Sequence, residues 1–162
     1  MSESIVIVGA KRTPIGAMQG KFNSLSAPQL GAVAIKAALE QAGVGPKEVD
    51  DLIMGCVLSA GQGQAPARQA ALGAGLDKAT PCTTVNKMCG SAMKAAMMGV
   101  DEILAGDATV VVAGGMESMT NAPHLLPKAR AGYRYGHQKV LDHMAFDGLA
   151  NAYDGKPMGN FA

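Results

Sequence analysis

Cys89 is the side chain in this sequence best placed to act as a nucleophile. It stands where the strand-like run Thr83-Thr84-Val85-Asn86-Lys87-Met88 gives way to a helical stretch that starts Gly90-Ser91-Ala92-Met93. The first N–H groups of a helix have no partner within it, and the aligned peptide dipoles place about half a positive charge there. A thiolate at such a point is favoured over a thiol, and cysteines so placed can titrate between roughly 3.5 and 7.5 instead of about 8.5. Free cysteine is also among the most buried residue types. Position alone therefore leaves two readings open, a primed nucleophile and an inert core thiol.

The other residues with chemical potential form no constellation. Cys56, Cys82 and Cys89 are odd in number and none belongs to a Cys-x-x-Cys pair, which argues against a disulfide framework or a zinc knuckle and suits a reducing cytoplasm. His124, His137 and His143 match no metal-ligand spacing and read as ordinary loop or partly buried histidines, so no metal is expected. Lys128, Arg130, Arg134 and Lys139 make one stretch locally basic. Phosphate contact and a solvated or subunit-contacting loop are both open to it.

The 162 residues suffice for one domain with a proper core, and 48% hydrophobic composition fits a globular protein. Fourteen lysines and arginines balance 13 aspartates and glutamates, so no strong field draws the chain to nucleic acid or an anionic membrane. Aromatic residues are only 4% and tryptophan is absent, which removes the stacking platforms of single-strand binders. Met1-Ser2-Glu3-Ser4 lacks the basic and apolar regions of a secretory signal, and no segment is apolar for long enough to span a bilayer.

The elements that must hold Cys89 can be read from apolar patterning. Ile5-Val6-Ile7-Val8 predicts a strand covered on both faces, ended by Gly9. Ala10 to Gly16 lacks Gly-x-Gly-x-x-Gly spacing and puts Pro14 where a phosphate-binding helix should begin, so no nucleotide site is expected. Ser26 caps a helix with Pro28 in its first turn, Leu30, Val33, Ala34 and Ala37 on its apolar face and Gly43 at its end. Asp51 to Leu58 predicts a strand, Ala67 to Leu72 a short helix, Cys82 to Lys87 a strand, and Thr109 to Ala113 another. Alternation of strands and helices predicts an α/β fold, with a mainly parallel sheet whose functional groups gather at the carboxyl ends of the strands.

Gly90 to Ala105 has no clear polar face, which predicts a helix buried from several sides, with Met93, Met97 and Met98 as flexible core filler. After Gly114-Gly115 the texture shifts to Pro, Gly, His and Tyr with no sustained period, so a distinct lobe is expected to begin there. The closing run Asp154 to Ala162 carries no stop signal and reads as the start of a helix within a longer protein.

Val85-Asn86-Lys87-Met88-Cys89-Gly90-Ser91, Arg12-Thr13-Pro14-Ile15-Gly16 and Ala113-Gly114-Gly115-Met116-Glu117-Ser118-Met119 together resemble the thiolase family. Pro66-Ala67-Arg68-Gln69 and Asp147-Gly148-Leu149 follow in the expected order, so the resemblance covers essentially the whole chain. It implies a thiolase-like α/β fold, with residues 1–118 as an incomplete amino-terminal domain of mainly parallel mixed sheet and helical layers. Residues 119–162 would begin a loop domain that covers coenzyme A. It also implies acyl transfer between coenzyme A thioesters: condensation of two acetyl-CoA to acetoacetyl-CoA and coenzyme A, or the reverse thiolysis, through an acyl-Cys89 intermediate.

In such chemistry the thiolate attacks the thioester carbonyl, and covalent catalysis divides one hard reaction into two. Donors aimed at the developing oxyanion are worth about 3 to 4 kcal/mol each, and the Cys89 N–H is one candidate. The resemblance assigns Leu149 and Met158 to the pantetheine channel. Pro157 stands where many members carry a histidine and offers no side-chain donor or acceptor, so that contact is not carried over. The histidine and second cysteine of the family lie in a carboxyl-terminal half beyond these residues. Neither Cys56 nor Cys82 matches the second cysteine, and residues 1–162 alone are expected to lack turnover. Coenzyme A thioesters are substrates here, no separate cofactor is implied, and homodimers or homotetramers working in fatty acid metabolism are expected. Two other readings remain from the residues themselves: a ketoacyl-synthase-type condensing enzyme and a non-catalytic assembly module.

Overall fold

The structure, a computed structural model, describes residues 4–161; Met1–Glu3 of the opening stretch and the final Ala162 lie outside the described residues. Its centre is a three-stranded parallel sheet in the order β2-β1-β3, with β1 Asp51–Gly55, β2 Cys82–Val85 and β3 Val111–Gly115. In register, Gly55 lies opposite both Val85 and Gly115, so all three strands leave the sheet at one level. Leu52, Ile53 and Met54 of the middle strand are buried, as a strand covered on both faces requires.

Helix α1, Ala27–Ala42, starts as expected. The Ser26 hydroxyl accepts from the Gln29 N–H, and the Gln29 side chain accepts from the Ser26 N–H, a reciprocal cap that satisfies two otherwise orphaned donors. Gly43 ends the helix at φ 66°, in the left-handed region open to glycine. The buried face differs from the expected one. Ala27, Gly31, Ile35 and Leu39 line it, while Val33 is 60% exposed. The smaller side chains set this face because α1 packs closely on helix α2, Pro66–Ala74. A Cβ on Gly31 would lie 3.4 Å from Ala70, and one on Gly73 3.1 Å from Ala32. Together α1, α2, Leu52, Met54, Cys56 and Met116 form the main core.

Helix α3, Ser91–Ala105, covers the opposite face of the sheet through small residues. Ser91, Ala95 and Gly99 are buried at four-residue intervals, and a Cβ on Gly99 would come within 2.9 Å of Val111. Within the described residues α3 is covered on one side only: Met93 and Met97, expected as core filler, are 72% and 54% exposed, and Leu104 is exposed beside them. Among the described residues no layer lies over that outward face.

Ile5 to Val8, expected as a strand, do not form one among the described residues. Val6, Ile7 and Val8 are exposed, and a strand without a hydrogen-bonded neighbour is not stable as such. This segment runs along α1 instead, with Gly9 tight against the Ala38 carbonyl and the Ala10 N–H on the Gln41 side chain. Beyond β3 the chain forms a short antiparallel pair, β4 His124–Leu125 and β5 Leu141–Asp142, followed by a π-turn at Met144–Leu149 and a 3-10 turn at Met158–Phe161. No described helix is long and apolar enough to cross a membrane.

Candidate active site

Four residues after β2, the chain makes a sharp elbow into α3, and Cys89 is exposed on it. Met88, immediately before, has φ 49°, a conformation that costs a non-glycine residue about 1 to 3 kcal/mol and persists only when its surroundings impose it. Here they do. The Ser91 hydroxyl accepts from the Lys87 N–H at 2.9 Å and donates to the Met88 carbonyl at 2.5 Å. The Ser91 N–H donates to that same carbonyl at 3.0 Å, and the Asn86 side chain accepts from the Met88 N–H at 2.9 Å. Cys89 is thus lifted out of the sheet onto the tip of a helix whose N-terminus has no side-chain cap. Such a tip stabilises negative charge.

The neighbouring strand ends brace the elbow. Gly55 lies so close to α3 that a Cβ there would sit 2.6 Å from the Ser91 Cβ, and one on Gly115 would be 2.8 Å from that of Ala92. The β1 exit, residues 56–62, is held by Glu117: its two carboxylate oxygens accept from the Val57 and Leu58 N–H groups, each at 2.9 Å. Buried Cys56 lies 3.6 Å from the same carboxylate. Burial, and then the Glu117 charge, pushes its thiol up to about 12, so Cys56 is an inert thiol. Cys82 is also raised, chiefly by burial, with Arg68 opposing.

Leu149 closes the π-turn and Met158 opens the 3-10 turn, on either side of an isolated antiparallel bridge between Ala150 and Pro157, and both are exposed. No hydrogen bond joins either to Cys89. The connection runs through the β1 exit, where Leu58 touches the π-turn: a Cβ on Gly148 would meet the Leu58 side chain at 3.1 Å. A hollow of about 490 Å³ lined by Gly45, Pro46, Lys47, Glu48, Gly75 and Asp77 precedes β1 and β2 and lies away from Cys89. Among the described residues no cluster of His, Cys, Asp and Glu could hold a metal ion.

Residues 5–162 match the family model described as "Thiolase, N-terminal domain". The chain belongs to the thiolase family. It is 52% identical over 162 residues to an acetyl-CoA acetyltransferase of Schizosaccharomyces pombe, covering 100% of this chain and 41% of that protein. It is 54% identical over 155 residues to one from Cupriavidus necator, covering 96% and 39%. A crystal structure of a thiolase from Ascaris suum in complex with coenzyme A superposes with a TM-score of 0.90 at 39% identity, over 94% of this chain and 40% of that one. The chain therefore spans about two fifths of the length of the relatives it matches.

Several thiolase motif residues quoted for resemblance alone acquire structural roles. Arg68 donates to the Lys78 and Thr80 carbonyls ahead of β2, and Gln69 donates to the Gln62 and Gln64 carbonyls at the β1 exit. Met116 enters the core, Glu117 clamps the β1 exit, and the Ser118 hydroxyl donates to the Leu25 carbonyl. Sequence reasoning missed Glu117 as a clamp and the pairing of His143 with Asp147. Signals existed for both: a lone carboxylate directly after an apolar strand, and an i, i+4 spacing on one helical turn.

Proposed function

We propose that the whole protein transfers acyl groups between coenzyme A thioesters, condensing two acetyl-CoA to acetoacetyl-CoA or running the reverse thiolysis, with Cys89 as the acylated residue. The observation that carries this reading is the strained, exposed elbow that presents Cys89 at the uncapped tip of α3. Family membership and the acetyl-CoA acetyltransferase relatives support the substrate class.

In the first half-reaction the Cys89 thiolate attacks the thioester carbonyl, the carbon–sulfur bond to coenzyme A breaks, and the leaving thiolate takes up a proton. The intermediate is itself a thioester, so it keeps the reactivity to acylate carbon. The Cys89 N–H, at the tip of α3, serves as one donor to the oxyanion. In the second half-reaction another acetyl-CoA gives up an α-proton, which balances the one taken up by the leaving coenzyme A; its enolate carbon bonds to the acyl carbon, and the carbon–sulfur bond to Cys89 breaks to return the thiolate. Leu149 and Met158 line the pantetheine arm from a loop domain that starts near Met119, against an amino-terminal domain of residues 1–118. A homodimeric or homotetrameric cytoplasmic enzyme of fatty acid metabolism fits this chemistry.

Iodoacetamide labelling of the full-length protein tests the assignment. Cys89 is expected to react first, acetyl-CoA to slow that reaction, and mass spectrometry to find the acetyl group on the Cys89 peptide. Equal, sluggish labelling of all three cysteines, with no acetylated peptide, would remove Cys89 as nucleophile.

A further inference from the structure

His143 is only 6% exposed although the residues after β3 are mostly solvated, and both of its ring nitrogens are engaged by different parts of the chain. Nδ1 lies 2.5 Å from the Asp147 carboxylate within the π-turn, and Nε2 accepts from the Ala60 N–H, 3.4 Å away, in the β1 exit. Because a backbone N–H can only donate, Nε2 holds the lone pair, Nδ1 carries the proton, and the ring donates to Asp147. The His143 N–H donates to the Pro123 carbonyl at 3.1 Å, fixing the start of the turn to the β4 approach.

The turn that His143 opens is not one the backbone favours. The Ala150 N–H donates to the Ala145 carbonyl at 2.8 Å, five residues back, so Met144–Leu149 contains one more residue than an α-helical turn would. Such π-turns are rare and need outside support. Here the support is the imidazole, which bridges Asp147 inside the turn and Ala60 outside it, while Gly148 allows close approach to Leu58. The residue set by the extra step is Leu149, the last of the turn, and the Ala150 that follows it bridges to Pro157, the chain neighbour of Met158. The β1 exit continues directly from Gly55, the last residue of β1, which packs against the first turn of α3 and so against the Cys89 elbow.

We propose that His143 is a positioning residue that fixes the Leu149 turn to the β1 exit, and so fixes the pantetheine-lining residues relative to Cys89. This rests on the proposed roles of Leu149 and Cys89. Its chemical consequence is on binding: the imidazole touches no reacting atom, so loosening it weakens the hold on the coenzyme A arm and leaves the elbow and its sulfur in place.

The test is steady-state kinetics of the full-length enzyme with acetoacetyl-CoA and coenzyme A, with rates normalised to Cys89 titrated by iodoacetamide. His143→Ala is expected to raise KM about tenfold while kcat changes by less than about threefold, because a uniform-binding contribution is lost. Asp147→Asn is expected to shift KM in the same direction by less, and the Cys89 labelling rate is expected to stay unchanged in both. A structural defect elsewhere would lower the titratable Cys89 and spare KM. Unchanged KM in His143→Ala, or kcat and Cys89 labelling falling while KM holds, would overturn the proposal. Should His143→Ala fail to fold, Asp147→Asn decides alone, since Asp147 is 42% exposed and its KM either rises or does not. Leu149→Ala separates the layers: a raised KM there with none in His143→Ala overturns only the positioning role, whereas no change in Leu149→Ala overturns the channel reading beneath it.

Discussion

Two adjacent strand ends each present a cysteine, and the two sulfurs sit in opposite surroundings. Cys56 directly follows Gly55 at the end of β1, and Cys89 follows Val85 by four residues at the end of β2, with Gly55 and Val85 in register. Cys56 is 2% exposed, between the Gln62 amide and the Glu117 carboxylate. Burial and the Glu117 charge push its thiol up to about 12, so it stays protonated at pH 7. Cys89, by contrast, is exposed at an uncapped helix tip. The carboxyl end of a parallel sheet therefore supplies a location, and the turn that leaves the strand decides whether a sulfur there can react.

The two exits are mechanically joined at Gly55, and the strongest way to break the contrast is to fill that contact. In Gly55→Ala the new Cβ would face the Ser91 Cβ at 2.6 Å and the Ala92 nitrogen at 2.8 Å, neither of which is the free end of a flexible chain. Something in the first turn of α3 must move. Misplacement of this kind costs about 100-fold in rate, so Cys89 labelling and turnover of the full-length protein are expected to fall by about that factor. Overpacking should also lower unfolding free energy by about 1 to 3 kcal/mol in urea titrations. Cys89 labelling at the unaltered rate would mean that the β1 exit does not brace the elbow.

A smaller effect is expected from Glu117→Gln, which narrows the difference between the two cysteines. Removing the charge brings the Cys56 thiol down from its raised value, yet it stays above the ordinary 9.0 because burial is the larger cause. Cys56 alkylation at alkaline pH should therefore rise several-fold, with Cys89 alkylation unaffected. The amide keeps one oxygen for the Val57 and Leu58 donors and leaves the other N–H without its carboxylate partner, a loss of about 1 to 3 kcal/mol in stability. If Cys56 stays as resistant as before, its inertness owes nothing to Glu117.

Local chemistry made much of this legible from sequence. The reciprocal cap Ser26–Gln29 and the terminator Gly43 fix α1 by contacts a few residues apart, and the Cys82 and Val111 strands were displaced by no more than about two residues, within ordinary boundary scatter. What failed depended on distant partners. Ile5 to Val8 has strand composition, but a strand exists only through a neighbour, and none pairs with it among the described residues. The apolar face of α1 differs for a related reason, since α1 turns its small residues, not Val33, toward α2, while the Met93 and Met97 face of α3 has nothing over it among the described residues. The elbow itself was legible as a strand-to-helix junction. Its strain at Met88 was not, because a left-handed methionine follows from the hydrogen bonds of Ser91 and Asn86 and not from its own preference.

The least effect should come from the other end of the sheet, which serves as the control for the contrast between the cysteines. Asp50, just ahead of β1, accepts from the Thr109 N–H at 2.7 Å and the Val110 N–H at 3.0 Å ahead of β3. Those bonds, Val110 first and Thr109 next, hold its carboxyl below the ordinary 3.8. A carboxyl depressed in the folded state contributes stability that is full above its unfolded value and is lost as pH falls through the folded one. Wild-type urea midpoints should therefore decline below about pH 4, and Asp50→Asn should flatten that part of the decline while lowering the midpoint slightly at neutral pH. An acid limb with the same slope in both proteins would remove Asp50 from the acid response. Because Asp50 sits at the amino ends of the strands, neither Cys56 nor Cys89 should change its labelling rate in this variant. A change in either would mean that the strand ends are coupled along their length, so that the contrast between the two sulfurs would not be local to their exits.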